Sequence, residues 1–158
     1  MKKLQKGFLI ISVLILLILQ NSGCKKDSSN TTTTKTPEEI LTGQMWKMDE
    51  IRALQNNSPI YYKRGGSTNT VNLDGEVLQF KKDYTGVSNS INGSFPFTWS
   101  FTNPEKNKLK FTVQYSVTFS LQINWENIIY ENTSLRYTEY YTHPSLGNTL
   151  GEGFRSPK

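Results

Sequence analysis

With 158 residues, 35% of them hydrophobic and 20% charged, the chain is sized for a single folded domain. Its one cysteine excludes an internal disulfide framework, and its one histidine leaves no tetrahedral zinc set of the usual kind. Eighteen basic residues against 13 acidic ones give +5, but Lys2, Lys3 and Lys6 belong to the leading segment, and the remaining 15 against 13 leave +2, without the basic stripe of a nucleic-acid binder.

The chain opens with those three lysines, an apolar run from Phe8 to Leu19 and then Asn21-Ser22-Gly23-Cys24. A basic start, a short apolar stretch and small residues before a cleavage point have the layout of an export signal. The apolar run is 12 residues long, short of the roughly 20 needed to span a bilayer. The segment resembles a bacterial lipoprotein signal, in which the cysteine is acylated and becomes the first mature residue. That resemblance implies a signal at 1–23 and lipidation at Cys24. It further implies anchoring in the cell envelope, at the outer membrane and facing the periplasm, with the lipid as the membrane contact.

From Lys25 to Lys35 the chain is polar, with no apolar side chain to offset the entropy of ordering, and 24–35 reads as a flexible tether. Thr36-Pro37-Glu38-Glu39 then combines a threonine cap, proline at the first helical position and glutamate three residues on, which predicts a short helix over 37–42, stopped by Gly43. Ile40 and Leu41 are its candidates for packing on the body that follows.

Beyond the helix the apolar period falls to two. Phe95, Phe97, Trp99 and Phe101 share one parity, as do the alternate residues from Leu109 to Trp125, with polar residues between them. One apolar face at period two predicts half-buried antiparallel strands. Strands are expected at about 45–54, 60–64, 76–82, 86–91, 95–102, 108–114, 117–125 and 135–142, with 128–130 as an extra edge. The run from Leu109 to Trp125 exceeds a usual strand and must break, and the break is expected at 114–116, where the run is least apolar. Turns fall at Asn72 to Gly75, Asp83 to Gly86, Asn92-Gly93, Asn103 to Asn107 and Glu131 to Ser134. The expected fold is an all-β, antiparallel, up-and-down barrel of about eight strands over 36–142. The Gly-rich stretch 143–158 shows no strand pattern and reads as a loose tail.

Reactive constellations are not evident. His143 stands beside Pro144 with no neighbouring acid and nucleophile. Asp49, Glu50, Glu126, Glu131 and Glu139 are candidates for paired carboxylate chemistry, but acids on a domain of this size mostly face solvent. No metal-binding, cofactor-binding or catalytic set emerges, and the expectation is a non-enzymatic protein. The informative feature is aromatic density. Trp99, Phe101, Phe111, Tyr115, Phe119 and Trp125 fall on the expected inner face, where they either line a ligand cavity or fill the interior. Tyr61, Tyr62, Tyr137, Tyr140 and Tyr141 form a second group, suited to a barrel mouth or a partner surface.

Several stretches together resemble the lipocalin-like domains of small lipoproteins from Bacteroidetes-type bacteria. Leu41-Thr42-Gly43 before Trp46-Lys47-Met48 is similar to the opening strand. Leu78-Gln79-Phe80-Lys81-Lys82-Asp83-Tyr84-Thr85-Gly86 is similar to the Phe-x-x-Asp-Gly-Thr-Gly hairpin, with Tyr84 in place of its first glycine. Trp99-Ser100-Phe101 with Leu109-Lys110-Phe111 resembles the tryptophan strand and its partner, and Leu135-Arg136-Tyr137 the closing strand. The resemblance implies a structural pairing of Trp46 with Arg136 and a small apolar or amphipathic ligand in the barrel. The alternative is a solid barrel that meets another envelope protein through its tyrosines or through loop 55–75.

Overall fold

The computed structural model describes residues 34–158. The expected signal, Cys24 and the tether up to Thr33 lie outside them. Helix α1 spans Pro37–Thr42. The Thr36 side chain accepts from the Glu39 amide at 3.2 Å while the Thr36 amide donates to Glu39 Oε2 at 2.8 Å, the reciprocal capping box that the sequence predicts. Gly43 ends the helix in a right-handed conformation, and any Cβ there would lie 2.6 Å from the Glu39 carbonyl oxygen. Close approach, rather than a left-handed turn, is what requires glycine.

Nine strands follow: β1 Met45–Gln55, β2 Ser58–Lys63, β3 Val77–Phe80, β4 Thr85–Ser90, β5 Gly93–Phe101, β6 Leu109–Gln114, β7 Ser120–Glu131, β8 Ser134–His143 and β9 Gly147–Pro157. All neighbours pair antiparallel. β1 and β3 to β9 run in chain order, and β9 returns to β1, closing an eight-stranded up-and-down barrel. β2 shares one edge of β1 with β3: Met45 to Lys47 pair with β3 and Glu50 to Gln55 with β2.

The stretch 143–158 is therefore not a loose tail. β9 pairs with β8 from Gly147 to Arg155 and with β1 from Thr149 to Pro157, so it seals the barrel. Its glycines are space-makers: a Cβ at Gly153 would lie 2.4 Å from the Tyr137 ring, and one at Gly151 would lie 2.3 Å from Ala53. The extra edge expected at 128–130 is instead the second half of β7. A register shift between Glu126 and Ile129, with Asn127 at φ 52°, moves the inward set from Leu121, Ile123 and Trp125 to Ile128 and Tyr130. A second shift in β1, between Met48 and Glu50, likewise changes the inward set from Trp46 and Met48 to Ile51 and Ala53.

The long apolar run breaks at 115–119, overlapping the expected 114–116 but extending three residues into the strand expected from 117, with β6 ending at Gln114 and β7 starting at Ser120. Val117, at the tip of the intervening turn, is fully exposed although it shares the inward parity. In the turn from Asp83 to Gly86, Tyr84 takes a left-handed conformation that ordinarily favours glycine. Tyr84 adopts φ 61°, Asp83 accepts from the Thr85 amide at 3.0 Å, and the Tyr84 ring lies 5.1 Å from Trp99.

The barrel is packed at one end. Phe80 is the hub, with ring centroids of Phe97, Trp99, Phe111 and Trp125 all within 6.0 Å. Leu41 of α1 is fully buried in the same cluster, and the Trp46 indole donates to the Leu41 carbonyl at 2.9 Å. The helix thus plugs this end. A second, smaller cluster of Met48, Ile51, Ala53 and Tyr62, backed by Val71 and Leu73, occupies the β1–β2 side towards the other end.

Candidate functional site

Between the packed end and the opposite rim lies a cavity of about 410 Å³. Its walls are apolar where β1, β5, β6 and β7 face inward, with Ile51, Phe95, Phe111, Val113 and Leu121 among the lining residues. Gln55, Asn92, Tyr115 and Thr149 line it from strand ends and turns on the side away from α1. The volume falls in the range of about 300–1,000 Å³ typical of small-molecule pockets. The interior is therefore packed towards α1 and leaves a cavity towards the opposite rim.

Three charged side chains, Arg155, Glu76 and Glu139, enter this cavity from its packed end. Arg155, on β9, is 1% exposed. Its Nε donates to the Tyr137 hydroxyl at 2.7 Å, Nη1 to the Trp46 carbonyl at 3.3 Å and Nη2 to Glu76 Oε1 at 2.7 Å. Its guanidinium also lies 5.5 Å from the Trp125 ring centroid. Burial works against the charge, but Glu76, Tyr137 and Glu139 around it outweigh burial and hold the guanidinium above its usual range. The second oxygen of Glu76, Oε2, is buried and has no hydrogen-bond partner.

Glu139, on β8, is 8% exposed and accepts from the Trp125 indole at 2.8 Å. Burial pushes its carboxyl up to about 7, with Glu76 adding to the shift, while the Trp125 hydrogen bond and Arg155 oppose it. Trp125 is stacked on Tyr137 with ring centroids 3.8 Å apart. The charged groups thus rest on an aromatic floor.

The six aromatic residues expected on the inner face separate. Phe111 and Tyr115 line the cavity, while Trp125 lies beneath it in the floor. Trp99 is buried at the packed end, its indole donating to the Thr85 carbonyl at 3.0 Å and the Lys81 carbonyl at 3.1 Å. Phe101 packs edge-on against Trp99, and Lys106 Nζ lies 5.4 Å from its ring centroid. Phe119 sits in the β6–β7 turn against Tyr115 and His143. Of the tyrosine group, Tyr62 and Tyr137 are interior rather than at a mouth. Tyr62 donates to Asp74 at 2.7 Å, and burial with that contact raises its hydroxyl to about 12.

The pairing of Trp46 with Arg136 is overturned. Residues 135, 137 and 139 face inward on β8, so Arg136 points outward, over the Phe154 ring at 5.2 Å. Arg155 meets Trp46 instead. Glu139 is an exception to the expectation that the acids mostly face solvent. Its place is readable from period two, since Leu135 and Tyr137 share its parity. Glu76 likewise shares parity with the buried Leu78 and Phe80.

His143 Nδ1 accepts from the amides of Ser145 and Leu146 and shapes the β8–β9 turn. Among the described residues, no three His, Cys, Asp or Glu side chains are grouped so as to hold a metal ion, and no helix is long and apolar enough to cross a membrane. Comparison with known proteins finds no matching family model, curated protein or solved structure.

Proposed function

We propose that the protein is a lipid-anchored envelope lipoprotein whose lipocalin-like barrel holds a small apolar or amphipathic molecule without transforming it. The observation that carries this reading is the cavity in the barrel, about 410 Å³ bounded by apolar walls on one side and a charged floor on the other. A domain of this size gains stability by filling its interior, and an unfilled cavity forgoes dispersion contacts. A bound molecule restores them. Attachment through Cys24 rests on the signal-like segment, and it would hold the barrel at the outer membrane on the periplasmic side.

Native mass spectrometry of the protein recovered from its own cell envelope tests the binding reading. A retained small molecule is expected, and it should be lost in Ser88→Trp, where a bulky ring projects from a buried β4 position that lines the cavity. No retained molecule in the parent chain, together with identical thermal stability before and after lipid extraction, would reject it.

A second reading, contact with another envelope protein, draws on the outer face. Leu54 pairs with Leu150 across β1 and β9, Leu150 pairs with Tyr140 across β9 and β8, and the two leucines are 53% and 58% exposed. Crosslinking from this stripe in intact cells distinguishes the two readings, because only this one predicts a specific protein adduct there.

A further inference from the structure

The polar head of an amphipathic occupant is dictated by the asymmetry of the cavity, an inference that rests on the proposed binding of such a molecule. Ile51, Val113 and Leu121 make the walls apolar, whereas Arg155, Glu76 and Glu139 are gathered at the packed end on the Trp125–Tyr137 stack. A head group entering first meets charge, and a tail trailing behind it meets apolar wall.

The sign of that charge is set by how the guanidinium is used. Arg155 is committed to Tyr137, to the Trp46 carbonyl and to Glu76 Oε1. Two carboxyl groups lie near this single cation, and only Glu76 is paired with it. Glu76 Oε2 is buried with nothing to accept from, although buried acceptors are normally paired and leaving one unpaired is costly. Glu139 has one oxygen engaged by the Trp125 indole. What the floor lacks is therefore a donor to Glu76 Oε2 and, once Glu139 is ionised, one positive charge. A carboxylate head would instead place a third acid beside two others, and a hydroxyl would supply a donor without the charge.

We infer that the barrel takes an amphipathic amine, its ammonium head donating to Glu76 Oε2 and Glu139 and its apolar tail lying along β1, β6 and β7. Binding is then linked to the protonation of Glu139. The groups facing that carboxyl are Arg155 from β9, Glu76 from just before β3, Trp125 from β7, Tyr137 and Tyr141 from β8 itself, and Tyr115 from the β6–β7 turn. Burial raises the three tyrosine hydroxyls above their ordinary range, and Arg155 keeps its charge, so none of these four changes state near neutrality. An ammonium selects the ionised form of Glu139, so capture releases a proton as the pH passes through about 7. Affinity should tighten about tenfold from pH 6 to pH 8, as the competent fraction rises from about a tenth to nearly all.

The test is a titration of the full chain with decylamine, decanol and decanoate, each kept below its micellar range and followed by tryptophan fluorescence at pH 6 and pH 8. Decylamine is expected to bind at least ten times more tightly than either of the others, with the tenfold pH dependence. Glu139→Gln, which preserves the Trp125 acceptor, should flatten that dependence. Tightest binding by decanoate, equal binding by decanol, or a decylamine affinity that ignores pH in the parent chain would overturn the amine assignment while leaving the cavity reading standing. Saturable binding by none of the three would overturn the cavity reading itself.

Discussion

Trp125 and Glu139 stand opposite each other across β7 and β8, and the indole donates to the carboxyl at 2.8 Å inside the barrel. The folded state holds the Glu139 proton up to about pH 7, against an ordinary value of 4.5. A carboxyl raised on folding binds more protons in the native state, so its contribution is fully favourable below pH 4.5 and is lost as the pH climbs through 7. Urea unfolding of the parent chain should show this loss, up to about 3 kcal/mol. In Glu139→Gln that component of the pH dependence should vanish. Glu139→Leu, which orphans the indole N–H, should be less stable than the Gln variant by about 1–3 kcal/mol.

The two arginines of the closing strands should behave differently. Arg155→Met leaves Glu76 without its cation, the Tyr137 hydroxyl without its donor and the Trp46 carbonyl without its side-chain contact, and a loss of about 3–5 kcal/mol is expected in denaturant titrations. Arg136→Ala gives up an outward contact over Phe154, and its loss should stay within about 1 kcal/mol. Equal effects would refute the assignment of Arg155 as the internal cation.

Gly153→Ala places a methyl group against a ring that cannot yield, because Tyr137 is stacked on Trp125 and bonded to Arg155. Overpacking of this kind should cost about 1–3 kcal/mol. Deleting 147–158 should do more, abolishing the near-ultraviolet circular dichroism of the aromatic core, since the barrel loses the strand that closes it.

At the β3–β4 turn, Tyr84 bears the strain of φ 61° and offsets part of it by packing on Trp99. Tyr84→Gly removes both strain and packing, whereas Tyr84→Ala removes only the packing. The alanine variant should therefore be the less stable of the two, by about 1 kcal/mol in thermal or chemical unfolding.

For the proposed anchor, Cys24→Ala should move the protein from the membrane fraction to the soluble periplasmic fraction. Retention in the membrane fraction would count against lipidation.

What the sequence made legible was local chemistry and simple periodicity. The Thr36–Glu39 box and Pro37 specify α1 without reference to anything distant. The alternation through Phe97, Trp99, Phe111 and Val113 specifies inward faces because each strand there keeps one parity throughout. β9 escaped because its inward residues are Thr149, Gly151, Gly153 and Arg155, none of which adds an apolar beat. Their fitness is visible only beside Ala53 and Tyr137, residues brought to them by the fold. The two register shifts hid parity in β1 and β7 for a similar reason. A bulge is a relation between strands, and no glycine or proline announces these two. The charged floor was half legible: period two places Glu139 inward, but its partnership with Arg155 and Glu76 joins three separate parts of the chain.

The return of β9 to β1 also constrains the order of assembly. Every other junction of the barrel joins strands that are neighbours in the closed order along the chain, whereas this one joins the first strand to the last. Bridging such a separation carries the largest loop-closure cost in the molecule, which makes sealing a late event in folding. Before it, the partly assembled sheet presents two unpaired edges and an uncovered aromatic interior, the features that favour edge-to-edge association. Aggregation during refolding should therefore track the lifetime of this unsealed intermediate rather than the equilibrium stability of the barrel.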